Sequence, residues 1–446
     1  TRIDDRSLAP GRPMSSTLPP TPAARSRSGA LFEEAGAVLP SGYTRHLAVT
    51  KPHPTYADYG SGCRVVTIDG QVMIDYINNF TAIIHGHGKR EILDTINTQA
   101  SRLMSTILPT EWEVRLAELL VDRIPGVERV RFANSGTEAV MIAIKAARAY
   151  TQRTKVAKME GGYHGQFDLI EASFQPRPDL WGPVDRPTVV AHNVGTPQSL
   201  LDELILLPLN DIERTRQRLR HEAGDLAAVI VDPFRLQLGM VEPHADYLAM
   251  LREETARLGI VLIFDEVVSL RLGYHGAQGI LGITPDLTTM GKIIGGGLPI
   301  GAIGGTAALM SVFEIERGEP LVKHSGTFTG NPLSLATGHT AMSLLTREAF
   351  DDLEAKGARL REGLERVRRD LGIVGRVEGR GSVSSLHLSE LQPTNYRELS
   401  AMMSPEYQAR LAAYQKLLLA EGLLTMRALF VGSTPMTNDD IDLTIA

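Results

Sequence analysis

Short apolar and β-branched runs alternate with longer segments of helical periodicity from residue 30 onward, and that alternation predicts an α/β fold. Val130-Arg131-Phe132-Ala133 reads as a strand, followed by a helical run from Glu138 to Tyr150 with Val140, Ile144 and Ala147 on one face. Lys155 to Met159 reads as a further strand. Leu226 to Val231 and Ile260 to Phe264 are apolar without alternation, as expected of central parallel strands covered by helices on both sides. A parallel sheet over roughly residues 85 to 330 follows. After residue 340 the pattern turns to amphipathic helices, with Ala349 to Leu371 rich in Arg and Glu, and to short strands such as Val383 to Leu388. The expected organisation is an arm over 1–24, a large domain over 85–335 with a mostly parallel central sheet sandwiched by helices, and a smaller α+β domain built from both chain ends, 25–84 and 336–446.

The 446 residues are enough to bury a sizeable core, and 46 basic against 52 acidic residues leave no surface dominated by one sign. Nucleic acid is therefore not an expected partner. A single cysteine, Cys63, excludes an internal disulfide framework and a cysteine-rich metal site, and reads as a structural thiol in a reducing compartment. The first two dozen residues carry Pro10, Pro13, Pro19, Pro20 and Pro22 and nothing like a signal-peptide core. No stretch approaches the ~20 apolar residues of a membrane span. The expectation is a soluble cytoplasmic protein with no membrane partner and no metal.

Candidate chemistry begins at Lys292, which lies between the apolar run before it and Gly295-Gly296-Gly297. A buried amine loses its preference for the charged form and exposes a nucleophilic lone pair; a surface lysine beside a flexible turn is the simpler reading of the residue alone. Ser135-Gly136-Thr137 stands between a strand and a helix, where free N–H groups and hydroxyls suit a phosphate, or where a serine merely caps the helix. Asp265 ends an apolar strand, the edge at which α/β proteins place their sites. It is either a cap or salt-bridge partner, or an anion facing the protonated nitrogen of a heteroaromatic cofactor. Tyr163, in Gly162-Tyr163-His164-Gly165, either packs locally or lies on a flat cofactor.

Taken together, Asn134-Ser135-Gly136-Thr137-Glu138-Ala139, Gly162-Tyr163-His164-Gly165, Phe264-Asp265-Glu266-Val267, Gly291-Lys292 and Ser325-Gly326-Thr327-Phe328-Thr329-Gly330-Asn331-Pro332 resemble the class III aminotransferases, pyridoxal phosphate enzymes of fold type I. The resemblance runs from about residue 30 to the C-terminus. It implies that Lys292 forms the Schiff base with pyridoxal 5′-phosphate, that Asp265 pairs with the pyridine nitrogen, and that Tyr163 and Val267 pack the two ring faces. Ser135, Gly136 and Thr137 would bind the phosphate, completed by Thr327 of a neighbouring subunit in a homodimer. Gln237 would contact the cofactor's phenolic oxygen, although Asp232 and Arg235 in Val231-Asp232-Pro233-Phe234-Arg235-Leu236-Gln237 depart from common family choices.

Within the family, the chain is most similar to aminotransferases acting on β-amino acids, with glutamate-1-semialdehyde aminomutase as a neighbour. Phe264 to Gly276, with Arg271 and His275 spaced as in the β-amino acid enzymes, Leu287 to Gly297 and His324 to Phe328 carry that likeness. In Leu39 to Ala48, Arg45 stands where those enzymes bind the substrate carboxylate, whereas the aminomutase carries its arginine three residues later, at Ala48 here. A guanidinium suits that task because it offers a carboxylate two directed donors; a structural salt bridge is the other reading of Arg45. Arg427 lies near the place where relatives hold the carboxylate of the acceptor, or else caps a strand. The implied activity is transfer of an amino group from a β-amino acid, aromatic or aliphatic, to a 2-oxo acid. A broad-range amine (omega) transaminase, the aminomutase, and a catalytically silent binding protein of the same fold are the alternatives. Phe80, Trp112 and Phe234 are the aromatic candidates for the pocket walls.

Overall fold

The uninterrupted apolar runs of the chain sit side by side in one sheet. In the computed structural model, which describes residues 26–45, 52–234, 240–315 and 318–446, its strands are β1 (Arg129–Ala133), β2 (Lys155–Met159), β3 (Leu204–Leu207), β4 (Leu226–Val231), β5 (Val261–Asp265), β6 (Leu287–Gly291) and β7 (Gly301–Gly305). The order is β1-β7-β6-β5-β4-β2-β3. β7 runs antiparallel to both β1 and β6, and the other neighbours are parallel. This is the α/β, mostly parallel sheet expected from the sequence. β5 ends one residue later than the apolar run suggests, so Asp265 is its last residue.

Alternate strand residues serve two separate cores, one on each face of the sheet. Ala228, Ile230 and Ile263 pack with Val140, Ile144 and Ala147 of α1 (Gly136–Thr151). Val229, Val231, Leu262 and Phe264 pack on the other face with Tyr247, Leu248 and Leu251 of α2 (Ala245–Leu258). Two further helices, α3 (Pro332–Leu344) and α4 (Arg347–Asp370), follow. Beyond them, Arg376–Arg380, Val383–His387 and Leu429–Val431 form an antiparallel three-stranded sheet.

These elements belong to one of two units, residues 60–65 with 72–446; the other comprises residues 1–59 with 66–71. In the larger unit, Val72–Asp75 pairs in parallel with Leu423–Leu424, joining distant parts of the chain. Cys63 is free and buried there, and burial, with the charge of Asp440 next, pushes its thiol up to about 11. That agrees with a structural thiol. In the smaller unit, helix Arg27–Ala35 is capped by Ser26, whose hydroxyl accepts from Gly29 N at 3.0 Å, and Arg27 N donates to Asp69 at 2.7 Å. Among the described residues no helix is long and apolar enough to cross a membrane.

One local feature was not foreseen. Asn78, Asn79, Phe80 and Thr81 form a single turn with φ of 50°, 50°, 54° and 75°. For residues with a Cβ the left-handed region costs about 1–2 kcal/mol each, so strong contacts must hold this turn.

Close packing leaves no room for a side chain where α3 crosses the turn that follows Lys292. A methyl on Gly338 would run into the carbonyl oxygen of Ile294 and crowd Leu116. Alanine is intrinsically the better helix residue by about 1 kcal/mol, yet Gly338→Ala is expected to destabilise by about 1–3 kcal/mol. A melting curve checks the sign: a Tm at or above that of the parent would show that the helix can shift.

Candidate active site

Three glycines allow the candidate residues to converge. Ser135 caps α1 in extended conformation, its hydroxyl accepting from Glu138 N at 3.2 Å, while Glu138 accepts from Asn134 N at 2.8 Å. The capping reading of Ser135 is thus realised, and it leaves the anion reading intact. The first-turn N–H groups of Gly136 and Thr137 have no carbonyl of their own helix to bond, at the positive end of a 16-residue helix. A Cβ on Gly136 would lie 2.9 Å from Val267 Cγ1, and one on Gly291 would lie 3.4 Å from the same atom and 3.6 Å from Gly136 Cα. On the neighbouring strand a Cβ on Gly301 would collide with the Ser135 carbonyl. The helix start, Val267 and the residue before Lys292 are therefore in contact through missing side chains.

Lys292 opens the tight turn Lys292–Gly295 with φ +51°, and the buried Ile293 and Ile294 anchor that turn. Burial lowers the pKa of its amine below that of an ordinary lysine, against the opposing charges of Asp265 and Asp232. An amine so placed can be neutral, and therefore nucleophilic, at lower pH than a surface lysine.

Asp265 is buried at the end of β5. Its carboxylate accepts from Thr289 Oγ1 at 3.0 Å and Val267 N at 3.2 Å, and pairs with His164 Nδ1 at 2.7 Å. Burial pushes this carboxyl up, but the His164 bond and charge, with the other two donors, more than compensate and hold it below the usual range. The carboxylate is thus kept ionised in a buried position. Next to it, burial pushes Glu266 up to about 7 despite N–H donors from Ala277 and Gln278.

His164 is the functional neighbour that sequence reasoning missed. It follows Tyr163 in the loop Gly162–Gly165, and nothing in the sequence says which of the two rings reaches Asp265. The loop is held from beneath by Lys158, a fully buried lysine whose Nζ donates to Gly162 O at 2.9 Å and Ile170 O at 2.5 Å. Tyr163 packs edge-on against Phe174 with ring centroids 5.0 Å apart. Burial and then the charge of Asp265 raise its pKa, so it too lies within reach of that carboxylate.

Thr327 is exposed, beside an exposed Phe328. Arg427, also exposed and at φ +60°, lines a cavity of about 420 Å³ with Tyr396, Met402, Tyr407 and Leu411. Neither Lys292 nor Asp265 lines that cavity. Arg45 is exposed in the smaller unit, and Gln237 lies outside the described residues. Arg271 and His275 are engaged within the larger unit: His275 Nδ1 meets Arg123 O at 2.7 Å, and the buried Arg271 donates to Thr81 O at 2.9 Å.

The chain matches the Aminotransferase class-III family over residues 47–428. It is 37% identical, over 95% of its length and 96% of the relative's, to a glutamate-1-semialdehyde 2,1-aminomutase 2 of Exiguobacterium sp.. Among solved structures, an omega-transaminase from Sphaerobacter thermophilus superimposes with a TM-score of 0.90 at 43% identity, covering 94% of this chain and 95% of the other. A β-phenylalanine aminotransferase from Variovorax paradoxus does so with a TM-score of 0.81 at 31% identity, covering 94% and 91%.

In cofactor-free protein, reductive methylation of Lys292 should reach half its maximal rate below the ordinary lysine value of about 10.4. Asp265→Asn should lower that midpoint further, because the lost charge favours the ammonium form. Since the unfolded lysine holds its proton where the folded one does not, this group makes the cofactor-free protein more stable as pH rises through that window. Mass spectrometry of the labelled peptide reads the midpoint, and titration of Lys292 together with the surface lysines would contradict the burial argument.

Proposed function

We propose a β-amino acid as the amino donor of this chain, which belongs to the class-III aminotransferases and is a pyridoxal phosphate-dependent transaminase moving an amino group from a small-molecule donor to a keto acid. The residues present fit that cofactor. An ionised, buried Asp265, an amine of lowered pKa at Lys292 and the unbonded N–H groups at the start of α1 are what its pyridinium, aldehyde and phosphate require. When bound, pyridoxal phosphate supplies the aldehyde that takes up the amino group and a ring that draws electrons from the donor carbon.

In this reading Ser135, Gly136 and Thr137 hold the phosphate, and Asp265, steadied by His164 and Thr289, keeps the ring nitrogen protonated. Tyr163 and Val267 bound the ring on its two faces, and Gln237 supports its phenolic oxygen. Lys292 would bind the aldehyde and then, as general base, move the proton at the amino-bearing carbon of the donor; its lowered pKa makes Nζ available as a base at lower pH than an ordinary lysine. Arg45 binds the carboxylate of the β-amino acid, and Arg427 that of a 2-oxo acid acceptor.

The observation that carries the choice of donor is Arg45 with Ala48 three residues on, supported by the likeness to the β-phenylalanine aminotransferase. Two other readings have specific support: an amine donor from the likeness to the omega-transaminase, and an aminomutase reaction from the 37% identity to that relative. We further propose a homodimer in the cytoplasm, with Thr327 of the neighbouring subunit completing the phosphate site. Phe328 is 61% exposed and Ile107 99% exposed, and Asn331 Nδ2 ties the two loops together by donating to Met104 O at 3.2 Å. An apolar surface of this kind beside Thr327 suits a subunit contact.

Arg45→Ala should lower kcat/KM for β-amino acids by about ten- to a hundredfold, the worth of a charged hydrogen bond, with amines unaffected. Unchanged β-amino acid turnover would remove Arg45 from the site, and conversion of glutamate semialdehyde to aminolevulinate would replace this reading with the aminomutase. Phe328→Glu should yield monomers with weakened cofactor affinity, measured by light scattering and cofactor titration. A parent protein that is monomeric at micromolar concentration would end the shared-site reading.

A further inference from the structure

We propose that Arg271 is a positioning residue of the donor pocket: its buried guanidinium pins the left-handed turn Asn78–Thr81, and so fixes Phe80 as the wall that selects the donor's side chain. This rests on the transaminase assignment alone and not on the choice of a β-amino acid.

Four consecutive non-glycine residues with positive φ persist only where their surroundings over-determine them. Here the contacts come from three directions. Asp75 Oδ1 accepts from Ile77 N and Asn78 N, both at 2.8 Å, while Asp75 Oδ2 meets His87 Nε2 at 2.9 Å. Asn78 Nδ2 donates to Val431 O at 2.6 Å. At the far end Arg271 Nη1 donates to Thr81 O at 2.9 Å, and its other nitrogens reach Ser382 Oγ at 3.1 and 3.3 Å and Gly432 O at 2.5 Å.

Arg271 is 1% exposed and no carboxylate pairs with it among the described residues. Burying a guanidinium against neutral acceptors is a costly way to fill a core, and an apolar side chain of similar volume would serve stability at least as well. What the guanidinium provides is geometry, because its planar fork fixes three backbone segments at once.

Those segments are bolted to the elements that carry Lys292. Leu270, beside Arg271, and Ile84, three residues after the turn, share a core with Ile293 and Ile294. A Cβ on Gly297 would lie 3.2 Å from Ile83. Leu272 packs with Phe234, two residues beyond the Asp232 whose charge acts on Lys292. Phe80, half-buried, is the large aromatic side chain that the turn carries at this place.

The test uses holoenzyme and two donor pairs that differ only in a phenyl or a methyl group: β-phenylalanine with β-aminobutyrate, and 1-phenylethylamine with isopropylamine. Decay of the cofactor's visible band gives the half-reaction rate for each, and the phenyl-to-methyl ratio is the readout. Phe80→Ala should change that ratio by about tenfold or more. Arg271→Met should shift it in the same direction while the cofactor stays bound, and Arg271→Lys should restore part of the parent ratio. An Arg271→Met enzyme that is slower on every donor by one common factor overturns the proposal, as does a Phe80→Ala enzyme with the parent ratio. Should Arg271→Met not fold, Phe80→Ala and Arg271→Lys decide by the same criterion. Ratio shifts seen only with the amines would sink the β-amino acid donor and leave this inference standing.

Discussion

Everything at the site depends on how closely the start of α1 approaches the strand ends that carry Asp265 and Lys292. Gly136, Gly291 and Gly301 are the positions where a methyl group would press into Val267 or the Ser135 carbonyl. Without side chains there, unpaired N–H donors, a buried carboxylate and a lysine share one small volume. The cost is stability, since glycine within regular structure weakens it by roughly 0.5–1 kcal/mol each. The tightly filled cores on both faces of the sheet offset that cost.

The same compactness sets the electrostatics. Asp265 is buried and Lys292 half-buried, and their neighbours push them in useful directions. Donors from His164, Thr289 and Val267 outweigh burial at Asp265, so it stays ionised; at Lys292 burial outweighs the charges of Asp265 and Asp232, so its pKa falls below that of an ordinary lysine. An anion beside an amine of lowered pKa is what a protonated ring and a nucleophile each require. Burial pushes Glu266 up to about 7, for it has as many donors but the Asp265 charge beside it where Asp265 has His164.

Legibility in the sequence followed the range of the interactions. Leu226 to Val231 and Ile260 to Phe264 were readable as buried strands because hydrophobic patterning is local, and Ser135 as a helix start because capping spans three residues. Asp265, Lys292 and Tyr163 were visible through their place at strand ends and through the family's motifs. His164 was hidden because its bond to Asp265 crosses 101 positions, and the role of Arg271 because its acceptors lie at Thr81, Ser382 and Gly432. The left-handed turn was hidden for another reason. Asn-Asn-Phe-Thr has no glycine to announce positive φ, and the bonds from Asp75, Val431 and Arg271 that help impose it come from outside the turn.

This difference in range explains why the chemistry is easier to infer than the donor. Cofactor-handling groups sit on strand ends and a helix start, whose geometry is set by patterning that every member of such a fold must share. In the reading proposed above, donor selection falls to segments with no regular pattern of their own: the Asn78–Thr81 turn, the Arg45 stretch, and the chain around Arg427, itself in the left-handed region. The first of these is held in part by the long-range bonds of Asn78 to Val431 and of Thr81 to Arg271, which lie outside the seven-stranded sheet. Relatives that share the Lys292 and Asp265 machinery can therefore differ in which amine they accept, and identities of 31–43% to an omega-transaminase, an aminomutase and a β-phenylalanine aminotransferase are what such a division of labour produces.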